Sequence, residues 1–373
     1  MLKSVYVAAT SQHVGKTTST LGLVAAIQQR GFEVGYCKPV GQQFLDLGHL
    51  KVDKDALLFS TIMNFELASE LHSPVILGRG ATTAYLDSPE AFHYRDRILY
   101  AASHLHKENE IVIYEGTGHP GVGSVVDLSN ADVAKLINAK VILIVEGGIG
   151  NTIDRLCLSL TMFKEKNVEV IGVIVNKVLP SKMEKVRKYV GKKLDSMGLP
   201  LLGILPFDSS LSHPIMATIS DAVKGRILLN EERFDNRVED YISGSLLDHQ
   251  DVEIWDKENL LLVVSFKRLH EALDKIFEIT EQKGLQKSLL SGIVITGDGK
   301  HELPIELGAL AHPYIKKYTL PVLTTALDTL GSVIKISQIE VKINTRTPWK
   351  AKRAIELINE HVDLDSIINY LNP

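Results

Sequence analysis

From Val7 to Ile27 the chain reads VAATSQHVGKTTSTLGLVAAI. An apolar run leads into a short polar stretch, then into Gly15-Lys16-Thr17-Thr18, then into an apolar segment of helical length. Strand, loop and helix in that order are what a phosphate-binding loop demands. Successive backbone N–H groups wrap a phosphate, a lysine reaches the outer phosphates, a hydroxyl faces a divalent cation, and the helix N-terminus favours the anion. Such an opening confines the chain to an open α/β sheet with the loop at the carboxyl end of a strand. The strict Walker spacing places a glycine at position 10, where this chain has Thr10. Ala9, one place earlier, stands six residues before Gly15 and can serve the bend there only if its φ stays negative.

The rest of the chain fits that sheet. Up to about Pro206, short β-branched runs alternate with amphipathic stretches. Strands are expected at Ser4 to Ala8, Val34 to Cys37, Ile111 to Tyr114, Val141 to Val145, Val170 to Val175 and Leu201 to Leu205. Helices are expected near Thr17 to Gln29, Ala91 to Leu105, Ala131 to Asn138, Thr152 to Lys166 and Lys182 to Met197. Continuous apolar strands separated by helices indicate a mainly parallel sheet covered on both faces. The segment FDSSLSHPIMATIS breaks the rhythm, with Ser212 placed to cap the next helix. Beyond it, GRILLNE, NLLLVVS, SGIVITG and LPVLTT read as strands, with helices at His270 to Gln282, Ile305 to Lys316 and Leu327 to Ser337. The expected organisation is a phosphate-loop domain over 1–210, a smaller α/β domain over 211–340 and a helical tail over 341–373. Ile355, Leu357, Ile358 and Val362 give the tail an apolar face that packs on a neighbour.

Composition narrows the function. A formal net charge of -4 gives no electrostatic reason to expect a nucleic acid or an anionic membrane. The longest apolar runs, such as AKVILIVEG, stop far short of a membrane span. Two cysteines, Cys37 and Cys157, are too few for a disulfide framework or a thiolate zinc site, and no signal-peptide pattern opens the chain, so a reduced cytoplasmic protein is expected.

The stretch ATSQHVGKTTSTLGLVAAIQQRGFEVGYCKPVGQ resembles the start of dethiobiotin synthetase and its relatives, which include cobyrinate a,c-diamide synthases and the N-terminal region of long bacterial phosphotransacetylases. In that family the loop is one residue longer than a Walker loop, which matches the spacing from Ala9 to Gly15. The resemblance implies a nucleotide site built from Ala9, Thr10, Ser11, Gln12, His13, Val14, Gly15, Lys16, Thr17 and Thr18, with ATP and Mg2+ as cofactors. Lys38, in YCKPVGQ, matches a lysine that faces phosphates and substrate, and with Lys16 it would carry the catalytic charge. Thr17, Asp55 and Glu115 match the metal-associated positions, and all three are hard oxygen ligands suited to Mg2+. Asp53 stands close enough to Asp55 to be confused with it, and either can simply cap a helix.

Asn176, at the end of VIGVIVNKV, matches the asparagine that meets adenine. The guanine signature would add an aspartate two places after the Asn-Lys start, but Val178, Leu179 and Pro180 come next, which favours ATP over GTP. After Glu115 the chain reads GTGHPGVGSVVDLSNAD, closer to the phosphotransacetylase version. There His119 can touch phosphate or be a turn residue, Asp127 can orient the loop, and Ser129 can cap a helix. The segment LPFDSSLSHPIMATISDAV, with VEDYISGSL after it, resembles the entry to a DRTGG domain. The naming motif is poorly kept: VVSFKRLHEAL lacks its Gly-Asp-Arg, and GIVITGDGKH keeps Thr296 and Gly297 but has Asp298 for the second glycine. Lys267 and Arg268 can hold an anion there or simply be solvated. Two functions are expected from this reading: a Mg-ATP-dependent ATPase or synthetase activating a small acid or amine, or a nucleotide-sensing module that acts on a partner protein. A homodimer is expected in either case.

Overall fold

The computed structural model describes residues 3–46, 48, 51–243 and 257–371, in two compact units. The first unit comprises residues 1–208 and 343–373, and the second, residues 209–342, is inserted between them in sequence. Six strands form the first sheet: β1 (Lys3–Ala9), β2 (Val34–Cys37), β3 (Ile111–Glu115), β4 (Lys140–Glu146), β5 (Val170–Val178) and β6 (Leu201–Pro206). Their order is β6-β5-β4-β1-β3-β2, and every pairing is parallel. All five residues of β3 and five of the seven in β4 are buried, as strands covered on both faces require. The helices α1 (Lys16–Gln28), α2 (Lys54–Met63), α3 (Tyr94–Glu108), α4 (Asn130–Leu136), α5 (Gly150–Glu165) and α6 (Met183–Asp195) accompany them. Two small ladders, pairing Val40–Gly41 with Val75–Ile76 and Phe44–Asp46 with Lys51–Asp53, lie in the long β2-to-β3 connection.

Helix α1 is buried from Ser19 to Ile27, on every side. A helix apolar all round needs cover on two faces. The second cover is the chain's own tail, α11 (Pro348–His361), followed by α12 (Leu364–Leu371). Gly22 permits that contact, since a Cβ there would lie 2.4 Å from Ile358 Cγ1 and 2.8 Å from the Ala354 carbonyl oxygen. The tail also closes the sheet's edge: Val362 bridges Gly203 of β6 in antiparallel fashion, and the Asp363 N–H donates to the Leu202 carbonyl at 2.7 Å.

The second unit holds a five-stranded sheet. Its strands are β7 (Arg226–Leu229), β8 (Asp240–Ser243), β9 (Leu260–Ser265), β10 (Leu290–Thr296) and β11 (Val322–Thr325), in the order β7-β11-β10-β9-β8, parallel except for the β7–β11 pair. Helices α7 (Met216–Val223), α8 (Leu269–Gln282), α9 (Pro313–Tyr318) and α10 (Thr329–Ser337) complete it. Three expectations need correction. The helix from Ile305 to Lys316 is instead a 3-10 turn at Leu307–Leu310 and the separate α9, because Pro313 takes the first helical position and His312 caps it through Tyr314 N–H. Ser212 caps no helix: it ends its own 3-10 turn, and α7 starts at Met216 with Ile215 as an N-cap that makes no side-chain hydrogen bond. Strand β8 falls within VEDYISGSL, which the sequence pattern does not mark as a strand, and residues 244–246 of that segment lie outside the described residues. Among the described residues, no helix is long and apolar enough to cross a membrane.

Candidate functional site

The loop between β1 and α1 is held open by its backbone. Ala9 is the last residue of β1, paired with Ile144, and does not have the positive φ that alanine tolerates poorly. The bend comes later: His13 has φ 61° and Gly15 φ 89°. Thr10 N–H donates to the Ile144 carbonyl at 3.0 Å, which ties the loop's start to β4. Gly15 caps α1 without a side-chain hydrogen bond, leaving the helix's first N–H groups to whatever enters the loop. A Cβ on Gly15 would lie 2.2 Å from Asn176 Nδ2, so both backbone angle and space require glycine there.

Charged groups gather at the carboxyl ends of β1, β2 and β3. Lys38 follows β2, and Glu115 ends β3, where it sits level with Val7 of β1. Thr17 Oγ1 donates to Glu115 Oε1 at 2.6 Å and to Asp55 Oδ2 at 3.4 Å. Tyr36 OH donates to the other Glu115 oxygen at 3.0 Å, and its ring stacks on Phe59 with centroids 3.6 Å apart. The Lys38 ammonium pairs with Asp55 Oδ2, lies 3.3 Å from Asp53 Oδ1 and 4.0 Å from Glu115 Oε1. Lys38, Asp53 and Glu115 are all buried. Asp53 caps α2 by accepting from Asp55 N–H at 2.9 Å, while its other oxygen has no hydrogen-bond partner.

Burial dominates the electrostatics. It pushes the Glu115 and Asp53 carboxyls up from their ordinary range, against the pull of Lys38. Lys38 is opposed by burial too, but Glu115, Asp55 and Asp53 outweigh it and hold the ammonium firmly protonated. Lys16 has the reverse balance: burial lowers it, Glu115 raises it, and the net direction is down. Tyr36 is pushed well up by burial and then by Glu115, so it stays a donor.

Asn176 does not face outward from β5. Its Nδ2 donates to the Val14 carbonyl at 2.8 Å and its Oδ1 accepts from Lys177 N–H at 2.8 Å. Lys177 Nζ donates to the His13 carbonyl at 2.5 Å, so the Asn-Lys pair clamps the far side of the loop. Ser11 is held from α5, where Arg155 donates to its hydroxyl at 3.0 Å. The structure thus brings Lys16, Thr17, Lys38, Asp55 and Glu115 together and places Asn176 against the loop backbone. Tyr36 and Arg155 join without having been expected; only Tyr36's place two residues before Lys38, on a strand of known pleat, hinted at its role.

The turn after β3 is organised by Asn130 at the start of α4. Its side chain accepts from Tyr6 OH at 2.8 Å and Thr117 N–H at 2.9 Å, and donates to the Thr117 and His119 carbonyls. Ser129 and Asp132 form a reciprocal capping box for α4. His119 Nδ1 accepts from Gly121 N–H at 3.2 Å, a turn role, and Asp127, at φ 54°, accepts from Tyr85 OH at 3.1 Å.

The oxygen set suits a small divalent cation. Thr17, Asp55 and Glu115 converge with hard donors, the chemistry Mg2+ prefers. Among the described residues no group of three or more His, Cys, Asp or Glu forms a metal cage. Two carboxylates and a hydroxyl beside a phosphate loop fit an ion that takes its remaining ligands from phosphates and water.

Comparison with known proteins agrees with this architecture. A phosphate acetyltransferase of Synechocystis is 21% identical over 377 residues, covering 100% of this chain and 52% of that protein. The chain therefore spans about half the length of this relative. An ATP-dependent dethiobiotin synthetase of Thermodesulfovibrio yellowstonii is 26% identical, covering 56% of this chain and 90% of its own. A probable cobyric acid synthase of Methanocaldococcus jannaschii is 24% identical over 57% of this chain and 47% of its own. Residues 3–215 match the AAA_26 family, described as an AAA domain. With a parallel sheet, a phosphate loop at its central strand and that match over more than half its length, the chain belongs to the AAA_26 family and carries a P-loop NTPase-like domain.

Proposed function

We propose that the first unit binds Mg-ATP and uses it as an ATPase, or as a synthetase that activates a small carboxylate or carbamate. The observation that carries this reading is the convergence of Thr17, Asp55, Glu115 and Lys38 beside the Gly15–Lys16 loop. Thr17, Asp55 and Glu115 would hold Mg2+, which would offset the negative charge of the phosphates. Lys16 lies at the first turn of α1 and meets the outer phosphates; Lys38 offsets charge that develops on a transferred phosphoryl group. The backbone from Ala9 to Thr18 wraps the phosphates. Asn176 would meet the adenine base, as the resemblance implies; it also fixes the loop at Val14, and the adjoining Lys177 holds it at His13.

The second reading is a nucleotide-sensing or assembly module with little turnover. It is favoured by one observation: the relative named phosphate acetyltransferase carries a region like this whole chain as about half of a longer protein. A DRTGG-like role for the second unit, homodimerisation and a cytoplasmic setting belong to the same proposal; two free cysteines support the last.

The test measures ATP and GTP binding by calorimetry with and without Mg2+, then follows phosphate release by wild type and Lys16→Ala. The proposal expects ATP preferred over GTP, Mg2+-dependent binding, and a loss of about 100-fold or more in release on removing Lys16. Absence of ATP binding at millimolar concentration would sink both readings. Tight binding without release, even with candidate acids and amines, selects the second.

A further inference from the structure

The oxygens that converge on the metal position already have a cation among them. Thr17 Oγ1 touches Asp55 Oδ2 and Glu115 Oε1. The Lys38 ammonium approaches those same two atoms, Asp55 Oδ2 as an ion pair and Glu115 Oε1 at 4.0 Å, and adds Asp53 Oδ1 at 3.3 Å. The lysine side chain is 9% exposed, so it is enclosed by the cluster. A divalent cation held by Asp55 Oδ2 and Glu115 Oε1 would meet the ammonium paired with Asp55, and the two positive charges would repel each other. Three carboxylates gathered around one ammonium, two of them fully buried, would repel one another in a low-dielectric site without it, and its positive charge offsets much of that repulsion.

We propose that Lys38 is a tethered stand-in for the divalent cation: its ammonium pairs with the carboxylates that would hold the metal, and metal arriving with phosphates displaces it. The inference rests on the Mg-ATP reading above and adds an order to it. Free metal alone has to expel a well-paired ammonium that then has no anion to meet. Metal with a triphosphate provides both a replacement charge for Asp55 and Glu115 and a new set of oxygens for Lys38. Metal and nucleotide binding are therefore coupled through one side chain, and by linkage each raises the affinity of the other. The coupling keeps the carboxylates charge-balanced at every stage, and it brings Lys38 to the phosphates only when the metal is in place.

The experiment uses Mn2+ as the probe, read by loss of its free-ion electron paramagnetic resonance signal, on the full chain without nucleotide. The informative variant is Lys38→Gln combined with Asp53→Asn. It removes one positive and one negative charge, so the cluster keeps its formal charge and loses the ammonium. Asp55, Glu115 and Thr17 are left intact. The double variant is expected to bind Mn2+ about tenfold more tightly than wild type, and a non-hydrolysable ATP analogue is expected to raise Mn2+ affinity far more in wild type than in the variant. Equal Mn2+ affinity in the two proteins overturns the proposal. Should the variant not fold, wild type decides alone: submillimolar Mn2+ binding without nucleotide overturns the proposal, and its absence up to millimolar Mn2+ supports it. Because the first titration contains no nucleotide, its failure is distinct from a failure of ATP binding.

Discussion

The two units contain parallel sheets built alike, yet their carboxyl ends carry different chemistry. At the first sheet those ends lead to buried Lys38 and Glu115, with Asp53 beside them. At the second they lead to Thr296 and Thr325, and the buried polar residues of that unit, among those described, include no carboxylate and no lysine. The Thr296 and Thr325 side chains there are satisfied internally. Thr325 donates to the Val223 carbonyl at 2.7 Å, Thr296 and Thr329 share a hydrogen bond at 3.1 Å, and a Cβ on Gly297 would lie 2.3 Å from the His301 carbonyl oxygen. Architecture alone does not make a reactive site. Buried charges are costly to fold around and so single out a candidate site, and among the described residues only the first unit holds buried carboxylates and lysines.

The sharpest way to break this contrast is to neutralise a charge in one unit and a strand-end hydroxyl in the other. Glu115→Ala removes an oxygen that accepts from Thr17 and one that accepts from Tyr36. Mg-ATP-dependent phosphate release is expected to fall about 100-fold or more, equivalent to about 2.7 kcal/mol of barrier. Thr296→Ala is expected to leave release unchanged. A comparable loss in both variants would mean that the second unit's strand ends serve the reaction too.

Packing gives the next contrast, read by calorimetry of the full chain. Gly22→Leu places a side chain where Ile358 and the Ala354 carbonyl already sit. Leucine's better helix propensity is worth about 1 kcal/mol at most. Overpacking costs about 1–3 kcal/mol, and here one obstacle is backbone that cannot rotate aside, so destabilisation of about 2 kcal/mol is expected in the first unit. In the second unit, Tyr314→Phe deletes a buried hydroxyl that accepts from Leu289 N–H at 3.1 Å and from Ser288 Oγ at 3.1 Å. Stranding the Leu289 N–H costs about 1–2 kcal/mol, with ATP binding unchanged. A shift of the same transition by both variants would show the two units melting together.

The range of each interaction decides how much of this was legible in sequence. The first sheet was readable because runs such as VILIV and IVIY are continuous and apolar, a local pattern that only doubly covered strands need. Strand β8 was not, because DYIS is four residues at a sheet edge with half its side chains polar. The two small ladders before β3 are shorter still and exist only because the long connection folds back on itself. Lys16 and Thr17 could be picked out from the loop motif, and Lys38, Asp55 and Glu115 from the resemblance to dethiobiotin synthetase, and the fold does gather their side chains. The arrangement within the cluster was not legible. Nothing local says that Lys38 turns to Asp55, that Asp53 is sealed in beside it, or that the tail's Ile358 needs a glycine at position 22.

The smallest expected effect probes the buried charges directly through pH. Burial raises Asp53 and Glu115 above their ordinary carboxyl range. Above that ordinary range the unfolded chain has lost these protons while the folded chain still favours them, so folding takes up protons and stability falls as pH rises. The contribution is fully present below the unfolded value, near pH 4, and is lost as pH climbs through the raised folded values. Asp132 and Asp363 are shifted the other way, so their contribution is lost only on acidification below the ordinary aspartate range, outside a scan from pH 5 to 7. Asp53→Asn removes one of the two raised groups, together with a partner of Lys38. Burial lowers His72 and His106 in the same unit, so their contribution is lost on acidification and works against the carboxyls within this window; the measured quantity is therefore the difference between two proteins that share those histidines. On going from pH 7 to pH 5 the first unit's melting temperature is expected to change less favourably in the variant than in wild type, by ~2 °C. The Tyr314→Phe protein should keep the wild-type slope. An unchanged slope in Asp53→Asn would place the proton-linked cost elsewhere, and the buried carboxylates would no longer be what separates the two units.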